Sequence, residues 1–477
     1  MAKIILIAPP YLDLYGKISR AAGRYFPLGL AYIASYLKTY GNHDVLMYEP
    51  EAQGLSYADI SEIIKKEAPD VIGLTSSTPN FPRALELARI ARDVSGARIV
   101  LGGVHASAIP EFIIENYHEL IDCVVVGEGE ETMLELVDAF RSGSSLSGVE
   151  GIVYKSGEKI VRTGRRPFIE DLDRIPPPDR DLIPQDLFVP NAHNARYRKC
   201  LTILTSRGCP YNCSFCAARV VSGKKYRMHS AEYVLNEMQS LKERYGARQL
   251  VITDDTFTIN RGRLEQICRG MIDRRLDLQW FCFSQVNTVD KETLSLMKRA
   301  GCYSIGFGVE SADEGILKNM GKNIKPEQAL ETVHIANRLG LKTQTFYIFG
   351  SPGETREQME RTLAFSQEVD AVLSFYNMLV PYPGTKDFEY FFSSTPLKDI
   401  KWEDFVAIGE NCVLSKNASV SKEEIENLIG RANKLYYFNP RRLFRILYNI
   451  RTPYELMNYL SGGLGFLSQI KSWLDRK

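Results

Sequence analysis

Apolar strand-like segments alternate with amphipathic helical segments through two long stretches of the chain. In the first stretch the segments KIILIAP, HDVLMYE, DVIGLTSS, ARIVLGG and DCVVVGEG are apolar almost throughout, and helical patterns such as LGLAYIASYLKTYG lie between them. Strands that are apolar on both faces are typical of parallel sheets covered by helices on both sides. The alternation therefore predicts an α/β protein that begins with a doubly wound domain over residues 1–155.

The alternation stops over residues 156–196 and then starts again. The intervening stretch contains EDLDRIPPPDRDLI. Three consecutive prolines cannot continue a helix or a central strand, so we expect an ordered linker here. Residues 197–399 contain six further strand–helix units, which predict a partial (β/α)6 barrel. In both architectures ligands bind at the carboxyl ends of the strands, so we expect the functional residues there.

Residues 400–477 lose the alternation, and we expect them to form a C-terminal helical subdomain. Basic and aromatic residues are mixed in this region, for example in NPRRLFRILYNIRTPYELMNYL. The simplest interpretation is a cap on the barrel. The alternative is a face for a membrane surface or an apolar substrate, because amphipathic helices of this composition bind at lipid interfaces.

Charge and cysteine usage narrow the class of protein. The formal net charge is +1, so bulk electrostatics gives no reason to expect a nucleic-acid partner. The sequence has no apolar run of bilayer-spanning length and no signal-peptide pattern at its start. Nine cysteines are scattered except for one cluster. This distribution favours reduced thiols with a metal site over disulfides, and we expect a cytoplasmic protein.

The cysteine cluster lies in LTSRGCPYNCSFCAAR, with the spacing C-x3-C-x2-C, directly after the first predicted barrel strand. Thiolates are the standard protein ligands of iron–sulfur clusters. Cys209, Cys213 and Cys216 can bind three irons of a four-iron four-sulfur cluster and leave the fourth iron open for a ligand. The alternative is zinc, which needs a fourth ligand nearby. Cys200 and His193 are the nearest candidates, and neither is on the loop.

This spacing, with Phe215 before the third cysteine, resembles the radical S-adenosylmethionine (SAM) superfamily. The resemblance implies that the open iron binds the amino and carboxylate groups of SAM. It also implies that one electron cleaves SAM to methionine and a 5′-deoxyadenosyl radical, which abstracts a hydrogen from the substrate. The implied partners are a small-molecule substrate and an electron donor such as flavodoxin or ferredoxin.

Further segments at the predicted strand ends fit the same superfamily. The resemblance places VITDDTF at the methionine amino group, FGVES at the ribose and methionine, and FYIFGSPGET at the adenine. The implied SAM-binding residues are Phe215, Asp254, Asp255, Gln285, Glu310, Ser311, Gly350 and Gly353. Gln285 is a departure, because related sequences often carry an arginine that could clamp a carboxylate. Each segment alone is weak, since paired acids also cap helices, and their ordered recurrence is the signal.

The first domain resembles the cobalamin-binding domain of cobalamin-dependent radical SAM enzymes over about residues 1–140. The resemblance rests on APP, FPLGLAYIASYL, DVIGLTSS, IVLGGVHAS and VVVGEGEET. The implied cobalamin-binding residues are Thr75, Ser76, Ser77, Gly102, Gly103, His105, Gly127 and Glu128. Glu51 stands where many such domains have a cobalt-ligating histidine, so we expect no histidine ligand from that loop. His105 is a candidate cobalt ligand, and its alternatives are core packing or a place in the dimethylbenzimidazole region of cobalamin. The alternative for the whole domain is a degenerate domain retained for architecture.

Together these resemblances imply a cobalamin-dependent methyltransferase. One SAM would methylate cob(I)alamin, a second would supply the radical, and methylcobalamin would deliver methyl to an unactivated carbon. The alternative is an oxidative cyclase or ring-rearranging enzyme that transfers no methyl group. A methylthiotransferase would need three more cluster cysteines in the first domain, where only Cys123 is present. A non-enzymatic cobalamin or redox sensor would not need the full set of barrel motifs. Tyr347, Tyr376 and Tyr382 are candidates for the substrate pocket or for core packing.

Overall fold

The computed structural model describes residues 1–21, 23–406 and 420–460, with the backbone alone at residues 17–21 and 192. Within these ranges two large sheets carry the fold, one of seven strands and one of six. Helices connect the consecutive parallel strands in both sheets. The predicted α/β class is therefore confirmed.

The first sheet is a parallel sheet with an antiparallel hairpin at one edge. Its strands are β1 (Lys3–Ile7), β2 (Asp44–Tyr48), β3 (Val71–Thr75), β4 (Arg98–Gly102), β5 (Cys123–Val125), β6 (Ile152–Ser156) and β7 (Lys159–Arg162). Their order is β2-β1-β3-β4-β5-β6-β7, with the last two antiparallel. The hairpin carries the sheet past residue 155, to Arg162, because β6 pairs with β5 and β7 with β6.

Helices cover both faces of this sheet. They are α1 (Leu28–Gly41), α2 (Pro50–Gln53), α3 (Tyr57–Glu67), α4 (Phe81–Val94), α5 (Val104–Ala108), α6 (Pro110–Tyr117) and α7 (Glu130–Ser142). Ile4 and Leu6 belong to the apolar cluster that includes α1 and α7, whereas Ile5 and Ile7 belong to the cluster that includes α3 and α4. Successive strand residues point to opposite faces, which explains why the strands are apolar throughout.

The second sheet is the partial barrel. Its parallel strands, in spatial order, are β8 (Cys200–Ile203), β11 (Gln249–Ile252), β12 (Gln279–Ser284), β13 (Cys302–Glu310), β14 (Lys342–Phe349) and β15 (Leu373–Met378). A short antiparallel ribbon of β9 (Ser206–Arg207) and β10 (Arg227–Met228) follows β8. Because the six strands are parallel, their carboxyl ends all open on one side.

The helices of the barrel region are α8 (Ala218–Ser222), α9 (Ala231–Tyr245), α10 (Arg261–Asp273), α11 (Lys291–Arg299), α12 (Glu314–Asn319), α13 (Pro326–Arg338), α14 (Arg356–Val369) and α15 (Lys386–Phe392). Before them, the proline-rich segment crosses from the first sheet to the barrel in short 3-10 turns. Arg180 of this segment is buried and donates to the Thr202 carbonyl at 2.7 Å and to Glu237 at 3.1 Å. These bonds fix the segment against the first barrel strand.

Two further helices, α16 (Lys422–Tyr437) and α17 (Pro440–Asn449), lie in the C-terminal region. In α17, Arg442 and Arg445 bond to Asp370, and the opposite side exposes Leu443, Phe444, Leu447 and Tyr448. Residues 407–419 and 461–477 of the predicted helical subdomain lie outside the described residues. Within the described ranges we find no helix with the length and apolarity needed to cross a bilayer.

Residues 453–460 are also helical, and they place Glu455 against the amino ends of the barrel strands. Glu455 is buried and pairs with Arg196 at 3.1 Å and with Lys342 at 3.5 Å. Burial lowers the pKa of Lys342 to about 8. A buried ammonium needs a compensating carboxylate, and Glu455 supplies it from the C-terminal region.

Candidate active site

The cysteine loop leaves β9 at the carboxyl end of the first barrel strand and enters α8. Cys209, Cys213 and Cys216 are half-buried free thiols, whereas the other five cysteines of the described chain are fully buried. Burial raises the pKa of all three thiols, that of Cys216 to about 11. The thiols therefore hold their protons at neutral pH until a metal replaces them.

The chemistry of this loop fits a cluster better than a single ion. In the described ranges, no three His, Cys, Asp or Glu side chains come close enough together to hold one metal ion. A structural zinc site needs four such ligands around one centre. In an iron–sulfur cluster each thiolate binds a different iron, so three separated thiols on one loop suit it.

The turn between α12 and α13 packs directly against the cysteine loop. The N–H of Ser214 donates to the carbonyl of Met320 at 2.8 Å. Gly321 has φ of +68°, and a Cβ there would lie 2.5 Å from the Asn212 carbonyl oxygen. Only glycine fits this turn, because both its conformation and its close contact exclude a side chain.

Lys322, the next residue, places a buried cation beside the loop, and the sequence analysis missed it. Its Nζ lies 2.8 Å from Oε1 of Glu310. Burial by itself lowers the pKa of Lys322, but the nearby Glu310 carboxylate and the Cys213 sulfur in its thiolate form outweigh it, and the pKa is raised overall. The lysine therefore carries its charge next to the predicted cluster.

Glu310 itself is held in an uncommon backbone conformation. Its φ is +66°, and the pairing of β13 with β14 shifts register between Gly308 and Glu310. A left-handed conformation costs a residue with a side chain about 1–2 kcal/mol. Such strain persists where function requires it. Ser311, by contrast, is fully buried and bonds to Thr362 and to the N–H of Asp313, the residue that caps α12.

The two adjacent aspartates at the end of β11 have separate surroundings. Asp254 is buried and accepts hydrogen bonds from the Thr205 N–H at 2.6 Å, the Thr205 hydroxyl at 2.6 Å and the Ser206 hydroxyl at 2.5 Å. It therefore holds the strand that leads to Cys209. Asp255 lines a cavity instead, and burial together with Asp254 raises its pKa to about 6.

The loop after β14 is fixed by one of its own side chains. Glu354 accepts from the N–H groups of Gly350 at 2.8 Å and Ser351 at 3.1 Å. Its second oxygen is buried without a partner, and burial raises the pKa of Glu354 to about 7. At the end of β12, Gln285 also buries an unpartnered oxygen. Both residues keep an unused polar group at the carboxyl ends of the strands.

The aromatic candidates for the substrate pocket have another role. Tyr347 is fully buried and stacks on Tyr376 with 5.4 Å between ring centroids. Both belong to the large apolar cluster under the barrel helices. Tyr382 packs with Phe405 at 6.5 Å. Core packing, the alternative that the sequence left open, therefore describes Tyr347 and Tyr376.

A cavity of about 340 Å³ lies between the first sheet and the barrel mouth. From the first domain it is lined by small residues at strand ends and by apolar side chains, namely Thr75, Gly102, Gly103, Gly127, Gly129, Leu6, Leu30, Ile33, Val100 and Met133, together with Glu128. From the barrel it is lined by Ser206, Arg207, Val221, Ser222 and Asp255. One space is therefore bounded by both domains.

Two glycines at the end of β4, Gly102 and Gly103, lie at the wall of this cavity. A Cβ at Gly102 would meet nothing nearer than Val125 Cβ, at 3.9 Å, so a side chain there would stand in the open space. Gly103 has φ of +94°, and a Cβ there would lie 2.5 Å from the Ser76 carbonyl oxygen. The missing side chain of Gly102 therefore leaves an apolar cradle that fits a flat macrocycle, whereas Gly103 is required by its backbone conformation and its close contact with Ser76.

Three predicted cobalamin-binding residues do not line this cavity. Ser76 is buried and bonds to the Gly102 carbonyl, and Ser77 bonds to Asn80. His105 is buried on the other side of the sheet, with its ring 4.4 Å from Phe81 and 4.8 Å from Trp402. Burial lowers the pKa of His105 to about 3. It is a neutral core histidine, because it follows the strand end on the face away from the cavity.

Glu51, at the place of a cobalt-ligating histidine in other such domains, has a structural task. Its carboxylate accepts from the N–H groups of Tyr11 at 3.1 Å and Leu12 at 3.0 Å. It therefore fastens the loop after β1.

A buried ionic network, which the sequence did not reveal, joins the two domains at the cavity wall. Arg207 pairs with Glu130 at 2.6 Å and with Glu128 at 3.3 Å. Arg227 binds Glu128 through both nitrogens, at 2.9 Å and 2.8 Å. Glu128, predicted to approach cobalamin, therefore uses its carboxylate on the barrel. Arg207 lies two residues before Cys209, so the network ties the cysteine loop to the first domain.

Two family models match the chain. Residues 203–366 match the Radical SAM superfamily, and residues 18–137 match the B12 binding domain. The chain is 35% identical over 447 residues to a Pyrococcus horikoshii protein named Uncharacterized methyltransferase PH0819, covering 94% of this chain and 95% of that one. It is 28% identical to the anaerobic magnesium-protoporphyrin IX monomethyl ester cyclase of Rubrivivax gelatinosus, covering 100% of this chain and 83% of the cyclase.

Among solved structures, the fold is similar to that of TsrM from Kitasatospora setae, a radical S-adenosylmethionine methyltransferase with cobalamin and an iron–sulfur cluster bound. The TM-score is 0.68 at 21% identity, and the match covers 82% of this chain and 75% of TsrM. At this identity the likeness shows a shared fold.

Proposed function

The chain belongs to the cobalamin-binding radical SAM enzymes, and from that premise we propose that it methylates an unactivated carbon of a small molecule. The observation that carries the proposal is the single cavity bounded by the glycines of the first sheet and by Asp255 and Arg207 of the barrel. Methyl transfer needs both cofactors to reach the same substrate atom. A shared cavity meets that need.

The relatives favour methyl transfer over the alternative of oxidative cyclisation. The Pyrococcus horikoshii protein, a methyltransferase by name, is 35% identical to this chain. The Rubrivivax gelatinosus cyclase is 28% identical. The cofactors follow from the family: an iron–sulfur cluster, SAM and cobalamin. When bound, the cluster and SAM supply a radical that removes a hydrogen atom, and cobalamin supplies the methyl group.

The residues of the chain divide the work of binding. Cys209, Cys213 and Cys216 would hold the cluster at the barrel mouth. Lys322 and Glu310, a buried pair 2.8 Å apart beside the loop, have the charges that a carboxylate and an ammonium group require, so they would orient the methionine end of SAM. Asp255 offers a further acceptor at the wall of the cavity. These assignments are part of the proposal.

The cavity wall would also exclude water from the reacting groups. Its first-domain lining is largely apolar, and the Arg207–Glu130 pair closes the joint between the domains at 2.6 Å. Removing water strengthens the electrostatic interactions inside a site and prevents quenching of reactive species. The joint therefore protects the chemistry as well as holding the two domains in register.

The proposed setting is the reducing cytoplasm, with a reduced flavodoxin or ferredoxin as electron donor. All eight cysteines of the described ranges are free thiols, which supports a reducing compartment. A cluster of this kind needs an electron for each SAM that it cleaves, so a donor must dock near the cysteine loop.

The test uses protein reconstituted anaerobically with iron, sulfide and hydroxocobalamin. It is incubated with SAM carrying a trideuterated methyl group, a reductant and a fractionated metabolite extract. We expect deoxyadenosine and S-adenosylhomocysteine in equal amounts, and one metabolite that gains a trideuteromethyl group by mass spectrometry.

The ratio of the two SAM products separates the candidate reactions. Deoxyadenosine without S-adenosylhomocysteine would favour the cyclase or rearrangement alternative, because no methyl group would have left SAM. Absence of both products from protein that carries a full cluster would contradict radical chemistry altogether.

A further inference from the structure

A second cavity, of about 250 Å³, opens beside the candidate cofactor cavity. Gly127 and Glu128 line both cavities, so they form a common wall. The remaining lining comes from the β6–β7 hairpin, the segment that follows it, α8, and Ser107 and Val126 of the first domain. Because α8 directly follows the cysteine loop, a molecule in this second cavity lies alongside the proposed active site.

The second cavity is strongly basic. Its charged lining consists of Arg162, Arg165, Arg166, Arg219 and Glu128. The single carboxylate, that of Glu128, is already neutralised by Arg227 and Arg207 of the barrel. Four guanidinium groups around one small space produce a positive potential that concentrates anions.

Two of the four arginines already have acidic partners. Arg162 pairs with Glu111. Arg166 pairs with Glu135 and lies 3.6 Å from Glu131. These two side chains shape the cavity, but their charges are balanced within the first domain.

Arg165 and Arg219 are different, since neither has a carboxylate within ion-pair distance among the residues that the structure describes. The guanidinium carbon of Arg165 lies 4.9 Å from the centroid of the Phe168 ring. Arg219 donates to the side-chain oxygen of Asn212 in the cysteine loop. Ring stacking and a neutral hydrogen bond orient both groups and leave both charges uncompensated.

We propose that Arg165 and Arg219 bind an anionic group, a phosphate or a carboxylate, of a molecule that occupies the active site. The inference rests on the proposed function, because it treats the adjoining cavity as the cofactor site. The two-pronged donor geometry of a guanidinium group matches two oxygens of such an anion. Arg219 is three residues after Cys216, so an anion held there would anchor a substrate beside the cluster loop.

One ligand chemistry has two sources here. The anion belongs either to the substrate or to the nucleotide loop of cobalamin, which carries a phosphate. Cobinamide, a corrinoid that lacks this loop and its phosphate, separates the two sources. The shared requirement is the pair of unbalanced arginines.

The experiment measures binding of inorganic phosphate by calorimetry to the full-length protein reconstituted with iron and sulfide but without a corrinoid. The test variant is R165Q/R219Q, and the matched control is R89Q/R269Q, which removes two exposed arginines that make no ion pair in the described structure. We expect phosphate binding to weaken at least about tenfold in the test variant and to stay unchanged in the control. Equal phosphate binding by the parent protein and both variants would overturn the inference.

The source of the anion follows from corrinoid affinities measured on the same proteins. Weaker binding of cobalamin with unchanged binding of cobinamide would assign the site to the cofactor phosphate. Unchanged binding of both corrinoids, together with loss of phosphate binding, would assign it to the substrate. The charge-conserving variant R165K/R219K keeps the inference testable if the neutral variant R165Q/R219Q does not fold. It should bind phosphate more weakly than the parent, because lysine lacks the two-pronged donor geometry.

Failure of this inference is distinct from failure of the proposed function. Deoxyadenosine formation and cobalamin binding by the parent protein report on the function alone. If both are present while phosphate binding does not depend on Arg165 and Arg219, the anion site is wrong and the enzyme class stands.

Discussion

The two cofactor regions of the molecule are built in opposite ways. At the barrel mouth function depends on reactive side chains, namely three thiols on one loop. Beside them lie Lys322 and Glu310, a buried ion pair whose two charged groups are 2.8 Å apart. At the first sheet function depends instead on a missing side chain, because Gly102 leaves a largely apolar cradle open. One cavity therefore has the reactive side chains of the barrel on one side and the apolar cradle of the first sheet on the other.

This difference predicts how each region fails. A ligand atom removed from the barrel should abolish chemistry while the fold survives. An atom added to the cradle should block binding while the cluster survives. The network of Arg207, Arg227, Glu128 and Glu130 belongs to both regions, so damage there should affect both.

The largest effect is expected from C213A. Loss of one of three thiolates should reduce deoxyadenosine formation more than about 100-fold, since even outer-shell changes around a metal cost up to about that factor. Iron content and SAM cleavage are the measurements. The control, C268A, removes a thiol buried in α10 and should leave both unchanged. Full activity of C213A would show that the barrel mouth does not depend on its three thiols.

The joint between the regions is tested by R207Q. Breaking a buried ion pair from one side leaves an unpaired charge, and we expect the free energy of unfolding to fall by about 3 kcal/mol, the lower end for such pairs. Glu128 keeps Arg227 at 2.8 Å, which limits the loss. Urea unfolding of R207Q, E130Q and the double variant measures the coupling. Strict additivity of the single effects would show that this pair does not join the domains.

The cradle is tested by G102L. The leucine side chain would occupy the cavity, because a Cβ at Gly102 meets nothing nearer than 3.9 Å. We expect cobalamin affinity to fall about 100-fold, near the upper cost of overpacking, while SAM cleavage persists. G96L places the same side chain in open space just before the same strand and should bind cobalamin normally. Equal binding by G102L and G96L would mean that the cradle lies elsewhere.

The smallest effect concerns His105. If this histidine bound cobalt, the first domain would also contribute a reactive side chain, and the two regions would differ less. Its pKa is about 3 in the folded protein against a reference of 6.5, so it contributes stability above pH 6.5 that is lost as the pH falls below that value. Between pH 7 and pH 5 the parent should lose about 2 kcal/mol more than H105N in free energy of unfolding.

The absorbance spectrum of bound cobalamin provides the second measurement on H105N. A core histidine leaves the spectrum unchanged. A spectral shift would place His105 on the cobalt and give the first domain a reactive side chain after all.

The sequence was informative where the chemistry is local in the chain. The spacing of Cys209, Cys213 and Cys216 indicates a cluster because one short loop carries the whole ligand set. The strand alternation indicates the fold class, since a strand buried on both faces must be apolar throughout.

It was less informative where orientation decides. Asp254 and Asp255 are neighbours at a strand end, and successive side chains point apart, so one holds the loop and the other lines the cavity. Ser76 and His105 also lie next to cavity residues and face away from the cavity. Lys322 and Arg207 act through tertiary contacts, and no spacing in the chain announces such contacts.

At the amino ends of the barrel strands, Glu455 pairs with both Lys342 and Arg196 from more than a hundred residues further along the chain. A neutral residue at position 455 would leave both cations buried without a carboxylate, whereas a neutral residue at position 342 would leave Glu455 paired with Arg196 alone. Substitutions in the barrel at these positions and substitutions in the C-terminal region should therefore be correlated. Related proteins that exchange one of these regions for another should change the charge of its counterpart in the same step.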